Sequence, residues 1–203
     1  MAWWGREGKQ ADAVEAAIAS TPRKRHLPEN QQQYAELDRA LPIGYGQTNS
    51  QPTTVRAMLR ALQVKPGHRV LDVGSGSGWT TVLLARLVGP SGSVIGTERI
   101  SELTEMGRAA VDAAQLPWAR ILQADPDVLG HPDGAPYDRI LVSAQSTAIP
   151  GALVDQLAED GLMVVPVGGR LLRVRRDGRA EDLGGYVFVP LVTGDGSPAE
   201  PSE

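Results

Sequence analysis

The sequence contains no cysteine, a single phenylalanine and no long apolar run. The lack of cysteine excludes disulfide bonds, thiolate metal sites and cysteine nucleophiles. No run approaches the roughly 18 apolar residues that a membrane-spanning helix needs, and the stretch "MAWWGREGKQADAVEAA" lacks the apolar segment of a signal peptide. The formal net charge of −4 gives no overall attraction to nucleic acid or to an anionic membrane. We therefore expect a cytoplasmic protein that binds neither.

Metal ligands are equally scarce. The three histidines, His26, His68 and His131, fall in predicted loops without the spacing of a metal site. We therefore expect no metal.

From residue 52 onward, helical and strand patterns alternate. The pattern predicts strands at 69–74, 93–97, 119–123, 138–143 and 161–166, and helices at 52–64, near 77–88, at 101–115 and at 150–158, with an earlier helix at 9–20. Alternation with short links is typical of a doubly wound, mostly parallel sheet with helices on both faces. The stretches "RLLRVRR" and "YVFVPLV", around an Asp-Gly turn, predict an antiparallel edge that completes seven strands.

A glycine-rich turn, "VLDVGSGSGW" at 70–79, follows the first of these strands. Gly74, Gly76 and Gly78 allow the backbone to turn tightly and to approach a ligand at a helix N-terminus. The motif lacks the Gly-Lys-Ser/Thr of a triphosphate loop. Asp72, two residues before the first glycine, would repel a pyrophosphate but attract a cationic ligand.

Two further carboxylates follow the next two strands. Glu98 stands at the usual distance for an acid that accepts both hydroxyls of a ribose. Asp125 closes the third strand, where it could accept a hydrogen bond from an adenine amino group. The alternative interpretation is that Asp72 and Glu98 only cap helices or pair with Arg69 and Arg99.

Together, the glycines and the three acids resemble class I S-adenosylmethionine-dependent methyltransferases. Such a cofactor is an adenosine with a sulfonium and no phosphate. The resemblance implies a Rossmann-like fold and cofactor contacts from Thr48, Asp72, Gly74, Ser75, Gly76, Gly78, Glu98, Arg99, Ala124 and Asp125.

A second motif, "GYGQTNSQP" at 44–52, precedes the glycine-rich turn. With "APYDRILVSAQSTAIPGALVDQLAEDGLMVVPVG" and "VFVPL" further on, it is similar to the protein-L-isoaspartate O-methyltransferase family from about residue 22 to 192. In that family this segment is a substrate wall that closes over the cofactor. The resemblance implies a catalytic Ser50 that meets the isoaspartyl carboxylate, and substrate contacts from Gln47, Asn49, Gln51 and Pro52. Ser50 could also serve as a helix N-cap with Pro52 in the first turn.

The implied activity is methylation of isoaspartyl residues in damaged proteins or peptides. The product ester collapses to a succinimide that reopens partly to normal aspartate, which is repair. We further expect three units: an N-terminal helix and covering segment at 1–51, a cofactor-binding domain at 52–192, and, from its low apolar content, a disordered tail at 193–203. We expect a monomer.

Four stretches depart from the family pattern. Asn49 stands where the family usually has an aliphatic residue, and "RHLPEN" stands where it has a phenylalanine-containing R-x-x-F-x-P. Ala124 and Pro126 replace two glycines, and "VPVGGRLLRV" is shortened. Two alternatives therefore stay open: a related carboxyl methyltransferase that acts on a normal aspartate of a ribosomal peptide to form an aspartimide, and a catalytically reduced nucleotide-binding module.

Overall fold

The computed structural model describes residues 4–191, with side chains described from residue 12 onward. The predicted tail at 193–203 lies outside the described residues. The helices are α1 (Trp4–Ala19), α2 (Pro52–Leu62), α3 (Trp79–Val88), α4 (Ser101–Ala114) and α5 (Gly151–Val154). The strands are β1 (Leu41–Gly44), β2 (Gln47–Asn49), β3 (Arg69–Val73), β4 (Ser93–Glu98), β5 (Ala119–Gln123), β6 (Tyr137–Val142), β7 (Leu157–Val167), β8 (Arg170–Arg175) and β9 (Ala180–Gly185).

Seven of these strands form one sheet in the order β5-β4-β3-β6-β7-β8-β9. The first five run parallel, and β8 and β9 are antiparallel to their neighbours. The prediction of a mostly parallel, doubly wound sheet with an antiparallel C-terminal edge is thus confirmed. The chain order reverses between β3 and β6, and at such a switch point the carboxyl ends of the strands leave a crevice for a ligand.

The central strands are short apolar runs because both faces of the sheet are covered. In β3, four of the five residues are buried, and β6 is buried except at Asp138. The apolar face of α2 packs into the core on one side, with Val55, Met58, Leu59 and Leu62 all buried. A second apolar cluster fills the other side.

The predicted helix at 150–158 is wrong in its extent. The helix α5 ends at Val154, and β7 already begins at Leu157, which pairs with Tyr137. Gln156 explains the early exit from the helix: its side-chain amide donates to the carbonyl of Leu129, and its amide oxygen accepts from the N–H of His131. These long-range bonds fix the chain in a direction that helix propensity does not predict.

The prediction of the second strand of the edge hairpin is also wrong. The tight turn around Gly178 pairs Val174 with Ala180, so that "AEDLGG" is the strand β9 and "YVFVPLV" is not. The strand β8 has only six residues, and β9 ends at Gly185, opposite Arg170 at the start of β8. The following residues instead cross to the carboxyl end of β6, where Gln145 exchanges backbone hydrogen bonds of 2.7 Å with Val189 and Leu191.

The segment between α1 and α2 is more ordered than its loop-like composition suggests. It contains two 3-10 helices, Arg23–His26 and Glu29–Tyr34, and the β1–β2 hairpin. Within the described part of the chain, no helix combines the length and apolarity needed to cross a membrane.

Candidate active site

A cavity of about 370 Å³ opens at the carboxyl ends of the parallel strands. Its floor comes from the turns that follow β3, β4, β5 and β6. Two further segments close it, residues 47–50 and residues 189–191. We call residues 47–51 the substrate wall. The cavity therefore lies at the switch point of the sheet, where the sequence predicted the ligand.

The glycine-rich turn forms the centre of the floor. Gly74, Gly76 and Gly78 all have positive φ angles, of 76°, 53° and 79°, which residues with a side chain rarely adopt. A Cβ atom at Gly78 would lie 3.0 Å from the backbone of Gly107 in α4. Glycine is thus required both for the turn and for the close approach of α4.

Glu98 lies beside this turn at the end of β4 and lines the cavity. One carboxylate oxygen accepts from the N–H of Gly76 at 2.9 Å, and the other accepts from Arg99 and Ile100 at 2.8 and 3.0 Å. All three of these donors are backbone N–H groups, so the Glu98 side chain is held by the main chain. A carboxylate has about four acceptor positions, so acceptor capacity remains for a ribose hydroxyl.

We predict that Glu98→Gln weakens the binding of S-adenosylhomocysteine about tenfold. A hydrogen bond to a neutral amide is roughly half as strong as one to a carboxylate, and the amide N–H₂ cannot accept. Isothermal titration calorimetry measures the change, with Glu105→Gln, an exposed position on α4 outside the cavity, as the control. Equal affinities of the two variants would show that Glu98 makes no ribose contact.

Asp72 is fully buried beneath the glycine-rich turn and lies outside the cavity lining. One oxygen accepts from the hydroxyls of Thr80 and Thr81, both at 2.7 Å, and the other has no partner among the described residues. Burial raises the pKa of Asp72 to about 6, so it is still mostly ionised at neutral pH. Asp72 could act on a bound cofactor through the charge of its carboxylate, or through Thr80, which lines the cavity. A direct contact between Asp72 and the cofactor stays a prediction.

Asp125 and Ala124 line the opposite end of the cavity, after β5. Asp125 is exposed, and one of its oxygens accepts from the N–H of Asp127 at 2.9 Å. This local turn holds the carboxylate in place, and a hydrogen bond from an adenine amino group to Asp125 stays a prediction. In the described residues, no group of three or more His, Asp or Glu side chains could hold a metal ion.

Two unsatisfied hydroxyls fit a polar ligand in this cavity. The Oγ atoms of Ser75 and Ser143 are buried, line the cavity and have no hydrogen-bond partner among the described residues. Buried hydroxyls without a partner are rare, and a ligand with polar groups would satisfy both. Sequence reasoning missed Ser143, although it lies at the carboxyl end of β6, as Glu98 and Asp125 lie at the carboxyl ends of β4 and β5.

The substrate wall presents four predicted residues to the cavity: Gln47, Thr48, Asn49 and Ser50. The alternative role of Ser50 as the N-cap of α2 is wrong. The cap position is Gln51, and the free N–H of Thr53 is satisfied by Asp38 from outside the helix, at 2.9 Å.

Ser50 therefore does not cap α2. Its hydroxyl has no hydrogen-bond partner within the described residues, and Ser50 lines the cavity. Of the predicted site residues, these line the cavity: Gln47, Thr48, Asn49, Ser50, Gly74, Ser75, Gly76, Glu98, Arg99, Ala124 and Asp125. Asp72, Gly78, Gln51 and Pro52 lie behind it, where they shape the turn and the start of α2.

A buried arginine, Arg23, holds the wall from behind. Its guanidinium donates to the carbonyl oxygens of Asn49 and Ser50, both at 3.0 Å, and to the Asn49 side-chain oxygen at 2.7 Å. It also stacks over the Trp79 ring, 5.5 Å from the centroid. Sequence reasoning missed Arg23 because an arginine in a basic loop is usually solvated.

His26 is buried as well, and not a loop residue as the sequence suggested. Its Nδ1 lies 3.2 Å from the carbonyl oxygen of Ser77, which can only accept, so Nδ1–H donates. Burial is the main reason that the pKa of His26 falls to about 4; its bond to Ser77 opposes this, and the nearby Arg25 adds to it.

We predict that His26 makes the fold sensitive to mild acid. Between pH 6.5 and 4 the unfolded chain binds a proton at His26 and the folded chain does not, so stability falls as the pH decreases. From pH 7.5 to 5, wild type should therefore lose about 2 kcal/mol of unfolding free energy relative to His26→Phe. Urea unfolding of both proteins at the two pH values measures this difference, in which the contributions of Asp72 and other shared groups cancel. A pH-independent difference would contradict a neutral buried His26.

Comparisons with known proteins agree with the geometry. The model of the family described as protein-L-isoaspartate(D-aspartate) O-methyltransferase (PCMT) matches residues 5–196. A protein-L-isoaspartate O-methyltransferase from Roseiflexus sp. (strain RS-1) is 44% identical over 192 residues, which are 91% of this chain and 86% of the relative. One from Methanopyrus kandleri is 40% identical, over 92% and 86% of the two chains.

Among solved structures, a Plasmodium falciparum chain described as a protein-L-isoaspartate O-methyltransferase, in complex with S-adenosyl-L-homocysteine, superposes with a TM-score of 0.77. It is 26% identical, and the match covers 88% of this chain and 89% of that one.

Proposed function

Because the chain belongs to the protein-L-isoaspartate O-methyltransferase family, we propose that it transfers the methyl group of S-adenosyl-L-methionine to the carboxylate of L-isoaspartyl residues in damaged proteins. One observation carries the proposal beyond family membership. Ser50, whose hydroxyl has no hydrogen-bond partner in the described part of the chain, lines the same cavity as Glu98 and the glycine-rich turn. A residue suited to hold a carboxylate thus shares a cavity with residues suited to hold an adenosine.

The chemistry needs no general base. An isoaspartyl carboxylate has an ordinary pKa near 4 and is ionised at neutral pH, so it is already a nucleophile. S-adenosyl-L-methionine supplies a methyl group on a positively charged sulfur. When bound, it would give this methyl group to a carboxylate oxygen, and the sulfur would leave with the electron pair of the broken carbon–sulfur bond as a neutral thioether.

The protein's task is therefore to orient and to exclude water. Ser50 would donate a hydrogen bond to the carboxylate. Glu98 and Asp125 would hold the ribose and adenine, and the glycine-rich turn the methionine part. Such alignment is worth roughly 7 to 11 kcal/mol of barrier in favourable intramolecular reactions.

Labelled S-adenosylmethionine tests the proposal with two peptides that differ only in an isoaspartyl or an aspartyl linkage. We expect base-labile methyl ester on the isoaspartyl peptide and only background on the other. Label on the aspartyl peptide alone would instead favour the aspartimide-forming alternative. Binding of S-adenosylhomocysteine without any transfer would favour a nucleotide-binding module.

The same proposal covers the partners. The substrate is a protein or peptide that carries the isoaspartyl carboxylate. Action as a monomer in the cytoplasm, without nucleic acid, stays a prediction that rests on composition and charge.

A further inference from the structure

We propose that Asn49 is a positioning residue for methyl transfer: through Ser77 its side chain fixes the substrate wall, and with it Ser50, to the glycine-rich turn. The inference rests on the proposed function for its kinetic consequence only. The link itself is a property of the fold and has its own test.

The orientation of the Asn49 amide follows from its partners. The side chain is buried, with 5% exposure, and one amide atom lies 2.7 Å from Nε of Arg23. Because a guanidinium can only donate, that atom is the amide oxygen. The amide nitrogen therefore points the other way, where it donates to the hydroxyl oxygen of Ser77 at 3.2 Å.

Ser77 is the receiving end of the link. It lies between the second and third glycines of the turn, is 2% exposed and lines the cavity. Its hydroxyl accepts from Asn49, and its carbonyl oxygen accepts from Nδ1–H of His26. The part of the chain that would contact the cofactor is thus tied to the wall and to the 3-10 helix at Arg23–His26.

By the resemblance to the family pattern, both donors to Ser77 are departures. Asn49 stands where the family usually has an aliphatic residue, and His26 falls within "RHLPEN", the stretch where the family has a phenylalanine. An apolar pair can fill the same space, but it forms no directional bond. The two departures therefore act together at one residue, and Asn49 is part of the internal framework as well as a residue of the cavity lining.

The position of Ser50 follows from this framework. Arg23 binds the carbonyl of Ser50 directly, and the Asn49 side chain forms the direct hydrogen bond that the described residues show between the wall and the glycine-rich turn. Without the hydrogen bond between Asn49 and Ser77, the wall is still bound by Arg23, but its position relative to the cofactor is no longer fixed. Because small misplacements of reacting groups slow the chemical step more than they weaken binding, the loss should appear in kcat.

The test compares Asn49→Leu, which keeps the approximate shape of the side chain but also removes the amide oxygen that accepts from Arg23, with Ser77→Ala, which removes a single oxygen, and with the double variant. We expect each single variant to lower kcat for an isoaspartyl peptide about 5- to 20-fold, with KM changed by less than about twofold. The double variant should be no slower than the slower single one, because both remove the same link.

Thr21→Val is the matched control. It removes a buried hydroxyl that binds Arg86 of α3, at 2.9 Å, and that has no part in the link between wall and turn. Its melting temperature should fall as in the other variants, while kcat stays within about twofold of wild type. A fall of kcat in Thr21→Val equal to that in Ser77→Ala would reduce the effect to general destabilisation and overturn the proposal.

Hydrogen exchange gives a readout that needs no activity. In the protein without ligand, the amides of residues 47–51 should exchange about tenfold faster in Ser77→Ala and in Asn49→Leu, and no faster in the double variant. If wild type methylates no isoaspartyl peptide, the proposed function fails while this measurement still decides the link. Unchanged exchange in Ser77→Ala, or single effects that multiply in the double variant, would overturn it.

Discussion

Ser50→Ala should lower kcat/KM for an isoaspartyl peptide about 10- to 150-fold and leave the affinity for S-adenosylhomocysteine within about twofold. The hydroxyl has no partner among the described residues and lines the cavity, so its removal should cost the fold little. A hydrogen bond to a charged group is worth about 1.5 to 3 kcal/mol, and this sets the size of the kinetic loss.

Steady-state kinetics on the isoaspartyl peptide, together with calorimetry for the cofactor product, measure both halves of this result. The control is Ser101→Ala, an exposed serine at the start of α4 that lies outside the cavity lining. Undiminished methyl transfer by Ser50→Ala would remove Ser50 from the mechanism. Helix capping could not explain Ser50 in that case, because Asp38 caps α2.

The largest expected effect on stability is that of Arg23→Met, about 3 to 5 kcal/mol of unfolding free energy. Arg23 is 6% exposed, and burial lowers its pKa to about 10. Among the described residues its hydrogen bonds go to carbonyl oxygens and to one amide oxygen, on Ala35, Leu37, Arg39, Asn49 and Ser50. Methionine fills a similar volume but leaves these buried acceptors without a donor.

Urea unfolding compares Arg23→Met with Arg56→Met. Arg56 forms an ion pair of 3.2 Å with Glu15, and both side chains are substantially exposed, so its loss should cost less than about 1 kcal/mol. Because Arg23 anchors the substrate wall, we also expect Arg23→Met to lose most methyl transfer where it remains folded. A stability loss no greater than that of Arg56→Met would show that the wall does not depend on Arg23.

Local patterns in the sequence were sufficient for the framework of the site. The alternation of strands and helices predicted the parallel sheet, and Gly74, Glu98 and Asp125 were assigned to strand ends from their positions alone. Parallel strands bring their carboxyl ends to one edge, so residues 20 or more positions apart in sequence had to meet there. Ser143 obeys the same rule and could have been found by it.

The tertiary structure decided everything that depends on partners far along the chain. Asp38 caps α2 in place of Ser50, Gln156 ends α5 early, and the register of β8 makes 180–185 the edge strand. Arg23 and His26 look like solvated loop residues in the sequence, yet both are buried against the wall and the glycine-rich turn. Composition and periodicity report whether a segment has an apolar face, and therefore which segments form the core. They carry no information on which polar group meets which, because a buried hydrogen bond depends on the position of two atoms that only the folded chain brings together.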